Sequence, residues 1–227
     1  LFIVDQCLEF NYKVFKVPTI SNWENRKEIS QKVKNIQIED LLERKPIVLD
    51  NRSISKQLKG RTVLITGAAG SIGSEIARQV LTFKPKMILM LDQAETPLHN
   101  LTLEMQAITS NAEIISIIAD VRNKKVIETV FATYSPEVVY HAAAYKHVPL
   151  MEENPAQAIV TNVQGTKNIA DLSCEYGATK FVMISTDKAV NPSNVMGASK
   201  RIAEKYVQSL QWKNVKQNGD VTTKFIT

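Results

Sequence analysis

From Arg61 onward, short blocks of consecutive apolar residues alternate with longer stretches whose apolar positions recur at helical spacing. The blocks predict strands over 62–66, 86–91, 114–118, 137–140, 179–184 and 223–227. The intervening stretches predict helices over 72–83, 95–109, 123–133, 153–176 and 195–212. The blocks at 87–91 (MILML), 114–118 (IISII) and 180–184 (KFVMI) are apolar at nearly every position rather than at alternate ones. Burial on both faces of a sheet requires that pattern. Strand–helix alternation at this spacing predicts βαβ units, hence an α/β fold with a doubly wound parallel sheet. Ligands of such a sheet lie at the carboxyl ends of its strands.

The first 45 residues lack this rhythm. Tyr12 to Val17 alternates like a strand and stops at Pro18, positions 4–10 have the pattern of a helix end, and 22–34 is polar and charged. Asp40 is placed to start a short helical turn at Leu41-Leu42 that Pro46 ends. We therefore expect 1–45 to be the tail of an upstream domain with its linker, and 46–227 to be one domain. A Gly219-Asp220 turn lies in a loop over 215–223, and a sixth strand begins at Lys224. The substrate region that would follow is expected to be truncated.

Composition narrows the class. Of 227 residues, 44% are hydrophobic, enough for a sizeable core, yet no run is long and apolar enough to span a bilayer and no signal peptide opens the chain. Cys7 and Cys174 stand in no motif, which suits a reducing compartment. The net charge of +5 is dispersed. Without a basic stripe carrying interleaved aromatics, nucleic acid is not an expected partner, and no metal site is expected.

Chemistry concentrates at the strand ends. The stretch KGRTVLITGAAGSIG sets a strand, a turn with Gly67, Gly70 and Gly73, and a helix start in succession. Such a turn lets backbone N–H groups approach a pyrophosphate at a helix N-terminus. Gly67, Ala69, Gly70, Ser71, Ile72 and Gly73 are the expected phosphate cradle. Asp92 closes the next strand, where a carboxylate can bond a ribose 2′-hydroxyl. The spacing TGxxGxxG resembles the extended short-chain dehydrogenase/reductase superfamily, and that resemblance implies a Rossmann-like, NAD(P)-binding domain. It places adenine near Asp120 and Val121, and the nicotinamide ribose near Ala142, Ala143 and Ala144, although an Ala-rich strand end is also simply good packing. Asp92 favours NAD over NADP, because it would repel a 2′-phosphate.

The superfamily's Tyr-x-x-x-Lys unit is here Met-Gly-Ala-Ser-Lys, from Met196 to Lys200. A thioether cannot act as a general base, so Met196 could equally be core packing in an inactive relative. The runs STDKAVNPSNVMGASKR, HAAAYKHVPLMEENP and ITGAAGSIGSE resemble the capsular-polysaccharide biosynthesis family of nucleotide-sugar 4,6-dehydratases. They are most similar to its membrane-anchored branch, which carries the same Met; IEDLLERKPIVLD resembles that branch's linker.

The resemblance implies a UDP-N-acetylglucosamine 4,6-dehydratase. Hydride leaves C4, water is eliminated across C5–C6, and hydride returns to C6. It implies Asp187 as the acid, Lys188 as the C5 base, Lys200 as the ribose anchor, and Thr186 or Ser185 orienting the C4 hydroxyl. A plain Asp187–Lys188 ion pair with water as base is the alternative. Lys146, His147 and Asn191 are expected at the substrate, although a lone loop His is often structural. The resemblance further implies a homo-oligomer on the cytoplasmic side of the membrane, attached only through upstream segments, with residues 1–227 themselves soluble. We expect this stretch to bind dinucleotide without turnover, its Asp187, Lys188 and Lys200 facing solvent. The other functions considered are a 4-epimerase or reductase of the same fold and a non-catalytic NAD(P)-binding regulator.

Overall fold

The computed structural model describes residues 15–16, 34–35, 50–108, 111–217 and 223–227. They divide into two units between Asp50 and Asn51. In the first, β1 (Phe15–Lys16) and β2 (Lys34–Asn35) pair antiparallel, Phe15 opposite Asn35. β1 lies within the strand read at 12–17. The readings at 4–10 and at Leu41-Leu42 fall outside the described residues.

The second unit opens with α1 (Asn51–Leu58) and then alternates β3 (Thr62–Thr66), α2 (Ser71–Thr82), β4 (Met87–Asp92), α3 (Glu95–Ala107), β5 (Glu113–Ile118), α4 (Lys124–Tyr134) and β6 (Val138–His141). Two short helices follow, α5 (Val148–Glu153) and α6 (Pro155–Ala158), then a π-helical segment (Ile159–Gly165) and α7 (Thr166–Glu175). The chain continues through β7 (Lys180–Met183), a 3-10 turn (Asp187–Ala189), α8 (Val195–Gln217) and β8 (Lys224–Ile226). All six strands are parallel, in the order β5-β4-β3-β6-β7-β8. The order reverses between β3 and β6, and the crevice that opens there is where doubly wound sheets bind ligands.

Side-chain alternation along the strands sorts the core onto two faces. Leu64, Leu89, Val139 and Phe181 point to one face and pack with Phe131 of α4, Ile169 of α7 and Val207 of α8. Val63, Ile65, Ile88 and Met90 point to the other and pack with Leu58 of α1, Val80 of α2 and Leu98 of α3. Apolar runs in the strands and helical spacing between them thus meet one requirement, a sheet covered on both sides.

Three features depart from the sequence reading. The block 114–118 is not buried on both faces: among the described residues β5 is an edge strand paired with β4 alone, and Ile118 is 63% exposed. The single helix expected over 153–176 is broken into pieces. Asn154 sits at φ −130° and ψ 58°, outside the helical region, because Pro155 follows it. Further on, the backbone widens into the π segment around buried Asn162. Finally, α1 was not anticipated. It is polar, with Leu58 its one fully buried residue, so its apolar pattern is too thin to register.

Candidate functional site

The turn after β3 is held by backbone geometry. Gly67 adopts φ +67°, and a Cβ there would lie 2.5 Å from the Ala143 nitrogen. A Cβ on Gly73 would lie 2.1 Å from the Gly67 oxygen. Glycine at the first position therefore lets the loop pass against the exit of β6, and at the second lets α2 seat on the turn. Gly70 is the N-cap of α2 and offers no capping side chain, so the first-turn amides remain open to an anion.

A cleft at the β3/β6 crevice is lined by Gly67, Gly70, Ser71, Ile72, Gly73, Asp92, Asp120, Val121, Ala142, Ala143, Ala144 and Lys146. Four segments that are far apart in sequence thus converge on one space. Ala69 is not in the lining but holds its wall: its N–H donates to Asp92 Oδ2 at 2.9 Å, while Asp92 Oδ1 accepts from Ala94 N–H at 2.9 Å. Asp92 is thereby fixed to the glycine turn. Asp120 accepts from Arg122 Nε at 2.7 Å, and this guanidinium holds its carboxyl below the usual range. Lys146 reaches from the β6 exit to Ser71 Oγ at 3.5 Å, so its ammonium stands beside the open amides of α2.

Sequence reasoning missed Thr161 and Tyr145, which also line the cleft. Thr161 Oγ1 is the one buried side-chain polar atom among the described residues without a hydrogen-bond partner. Nearly every buried polar group is satisfied in native proteins, so this hydroxyl marks where a ligand atom would complete the cleft. Together with the open amides and Asp92, it makes the residues present a fit for a dinucleotide. Asn162 was missed as well. Its side chain accepts from Tyr145 N–H at 2.8 Å and donates to Tyr145 O at 3.0 Å and Ser199 Oγ at 2.9 Å. One amide thus ties the β6 exit, the π segment and α8 together. Neither Thr161 nor Asn162 carried a local signal, since polar residues recur throughout 153–176.

His141 is fully buried between two threonines, Nδ1 lying 2.7 Å from Thr66 Oγ1 and Nε2 2.9 Å from Thr166 Oγ1. Thr166 spends its proton on Asn162 O at 2.6 Å, so it can only accept from the ring. The proton is accordingly assigned to Nε2, and Nδ1 accepts from Thr66. Burial, aided by the charge of Lys200, pushes the imidazole down to about 3, so it stays neutral.

The remaining predicted residues gather beside the cleft, at the end of β7 and the start of α8, rather than in its lining. Lys200 is only 5% exposed and donates from Nζ to Ile184 O at 2.7 Å. Its expected exposure to solvent is therefore corrected: Lys200 is buried within the described residues. Burial pushes its ammonium down to about 8, against the opposing pull of Glu204. Met196 is buried with Met151 and Ala158, and Tyr145 packs against the same cluster. Ser185 donates to Glu204 Oε1 at 2.6 Å, so its hydroxyl is turned to α8. Thr186 Oγ1 donates to Asp187 Oδ1 at 2.9 Å, and Asp187 also accepts from Lys188 N–H at 2.9 Å. Asp187 and Lys188 side chains are exposed and form no ion pair with each other. His147 caps α5 by backbone position only, and both it and Asn191 are exposed outside the cleft lining.

Comparison with known proteins places this geometry among relatives. The chain is 49% identical over 205 residues to the capsular polysaccharide biosynthesis protein CapD of Staphylococcus aureus, covering 90% of this chain and 34% of that protein. It is 37% identical over 147 residues to a UDP-N-acetylglucosamine 4,6-dehydratase (inverting) of Campylobacter jejuni, covering 64% and 42%. The solved structure of Pen from Bacillus thuringiensis superposes with a TM-score of 0.67 at 32% identity, covering 74% of this chain and 49% of that one. The chain thus spans less than half the length of these relatives. The family described as polysaccharide biosynthesis protein matches residues 63–227, and the chain belongs to it.

Proposed function

We propose that these residues form the NAD(P)-binding and catalytic half of a nucleotide-sugar 4,6-dehydratase of surface-polysaccharide biosynthesis, acting on UDP-N-acetylglucosamine. One observation carries the reading. The Thr186-Asp187-Lys188 turn and buried Lys200 stand together at the end of β7, next to a cleft built for a dinucleotide. A bound nicotinamide would supply the hydride acceptor and, later, the donor. The chain's own residues do the rest. The open amides of α2 and the Lys146 ammonium hold phosphate charge, while Asp92 selects a free ribose 2′-hydroxyl and so favours NAD over NADP. Lys200 anchors the nicotinamide ribose. Thr186 orients the sugar's C4 hydroxyl and relays its proton to water when C4 is oxidised, a task left to it because Ser185 is committed to Glu204. Lys188 removes the C5 proton, and Asp187 protonates the departing C6 hydroxyl.

Asp187 and Lys188 favour dehydratase over epimerase, since elimination across C5–C6 needs an acid and a base that epimerisation at C4 does not. Membrane attachment through segments outside 1–227 and a homo-oligomeric state belong to the same proposal. The latter is supported by exposed Leu150, Ile159, Val160 and Ile202 on α5, the π segment and α8, which packs on both. The deciding experiment gives the full-length protein UDP-N-acetylglucosamine and NAD, then weighs the product. Loss of one water supports the dehydratase. An isobaric product means an epimerase, and no turnover favours a regulator.

A further inference from the structure

Glu204 belongs to no motif singled out in the sequence, yet it bonds Ser185, immediately before Thr186, Asp187 and Lys188. It lies one helical turn beyond Lys200 on α8, and positions four apart share a helix face. Its Oε1 accepts the Ser185 hydroxyl at 2.6 Å, and its Oε2 pairs with Arg201 Nη1 at 3.1 Å. Its side chain is only 13% exposed. Ser185 is the last anchored side chain before Thr186, Asp187 and Lys188 leave the sheet. The backbone oxygen of the preceding residue, Ile184, receives Lys200 Nζ. Both residues at the end of β7 are thus tied to one face of α8, Ile184 through Lys200 and Ser185 through Glu204.

We propose that Glu204 is a positioning residue for the reaction, fixing through Ser185 the direction in which Thr186, Asp187 and Lys188 project, and serving as the counter-charge of Lys200. The inference rests on the dehydratase reading for its catalytic half only; the counter-charge half is independent of it. His141 on β6 feels the Lys200 charge, and the other elements packed against α8 carry Asp187 and Lys188 on the 3-10 turn, Glu152 on α5, and Lys167 and Asp171 on α7, while Lys224 of β8 stands beside Lys180 at the far end of the sheet. Lys167 and Asp171 are engaged with each other and with Tyr206, and Glu152 with Val195 N–H. His141 is neutral. Glu204 is the carboxylate that opposes the effect of burial on Lys200.

Two substitutions separate the two roles. Glu204→Gln keeps an acceptor for Ser185 and removes the charge; Glu204→Ala removes both. The first readout needs no activity. It is a pH titration of the lysine side-chain carbon resonances in full-length protein labelled at lysine, with Lys200→Met identifying the signal. The wild-type midpoint is expected near 8. In Glu204→Gln it should move to lower pH, and an unchanged midpoint would overturn the counter-charge role. The second readout is turnover of UDP-N-acetylglucosamine. Glu204→Ala should lower kcat by about 10²-fold with KM little altered, the scale expected for a misplaced reacting group. Glu204→Gln should recover most of that loss. Equal losses in both variants, or a loss confined to KM, would overturn the positioning role. A wild type that fails to turn over leaves the titration intact as the test of Glu204 and counts against the dehydratase reading.

Discussion

Replacing Lys200 with Met should reveal how much the fold loses by burying an ammonium. The free amine titrates at 10.5, and in the folded chain burial brings it to about 8. A gap of about 2.5 units corresponds to roughly 3 kcal/mol between the two protonation states. Below about pH 8 the amine is charged in both folded and unfolded chains, and the native state bears the whole cost. Between about 8 and 10.5 the native amine is neutral while the unfolded one still binds a proton. Stability must then rise with pH, by about 1.4 kcal/mol per unit. Lys200→Met removes this dependence, at the pH-independent cost of leaving Ile184 O without its partner, about 1–3 kcal/mol. The assay is urea unfolding of both proteins at pH values from about 7 to 10. Because other titrations cancel in the difference, wild type should gain roughly 2–3 kcal/mol on the variant across that range. Parallel pH profiles would refute the placement of Lys200 as a buried ammonium.

Four further outcomes are expected. Asp92→Ala should weaken NAD binding more than NADP binding by calorimetry, and an unchanged preference would remove Asp92 from the ribose site. Lys200→Ala should abolish turnover of the full-length protein. Met196→Ala should spare most of it while lowering stability by about 2–4 kcal/mol in denaturant titrations, as the truncation of a buried Met does. His141→Gln should flatten the acid limb of the stability curve. The folded imidazole titrates near 3 against 6.5 when free, so stability present above 6.5 is lost as pH falls toward 3, by up to about 1.4 kcal/mol per unit. A limb as steep in the variant as in wild type would mean another group drives acid unfolding.

What the sequence disclosed and what it hid follow from the reach of the interactions involved. The glycine turn was legible because each glycine answers a clash within its own βα unit or one strand away. Strand positions were legible because burial on both faces writes itself into consecutive residues. The edge position of β5 was not, because Glu113–Ile118 reads the same with one neighbour as with two, and strand order is settled by crossovers elsewhere. The break at Asn154 carried a local signal in Pro155. The π segment carried none: Asn162 is polar in a helical stretch, and its reason for being there, the Tyr145 amide, lies 17 residues upstream. Glu204 was hidden likewise, its partner Ser185 being 19 residues away.

The same structure divides the proposed acid–base group in a way that constrains its chemistry. Lys200 is desolvated by burial, so its amine is already displaced toward neutrality in the free chain. Asp187 and Lys188 are exposed, and only hydrogen bonds from Thr186 and Lys188 N–H hold the Asp187 carboxylate. To act as assigned, Asp187 must be protonated and Lys188 neutral. In water that exchange costs about 9 kcal/mol, from reference values about 6.5 units apart. Both side chains stand in water in the free chain. Removal of water from around both groups reduces the cost, and in the proposed reaction that task falls to the sugar. On this reading Lys200 is prepared by the fold, whereas Asp187 and Lys188 are prepared by the substrate.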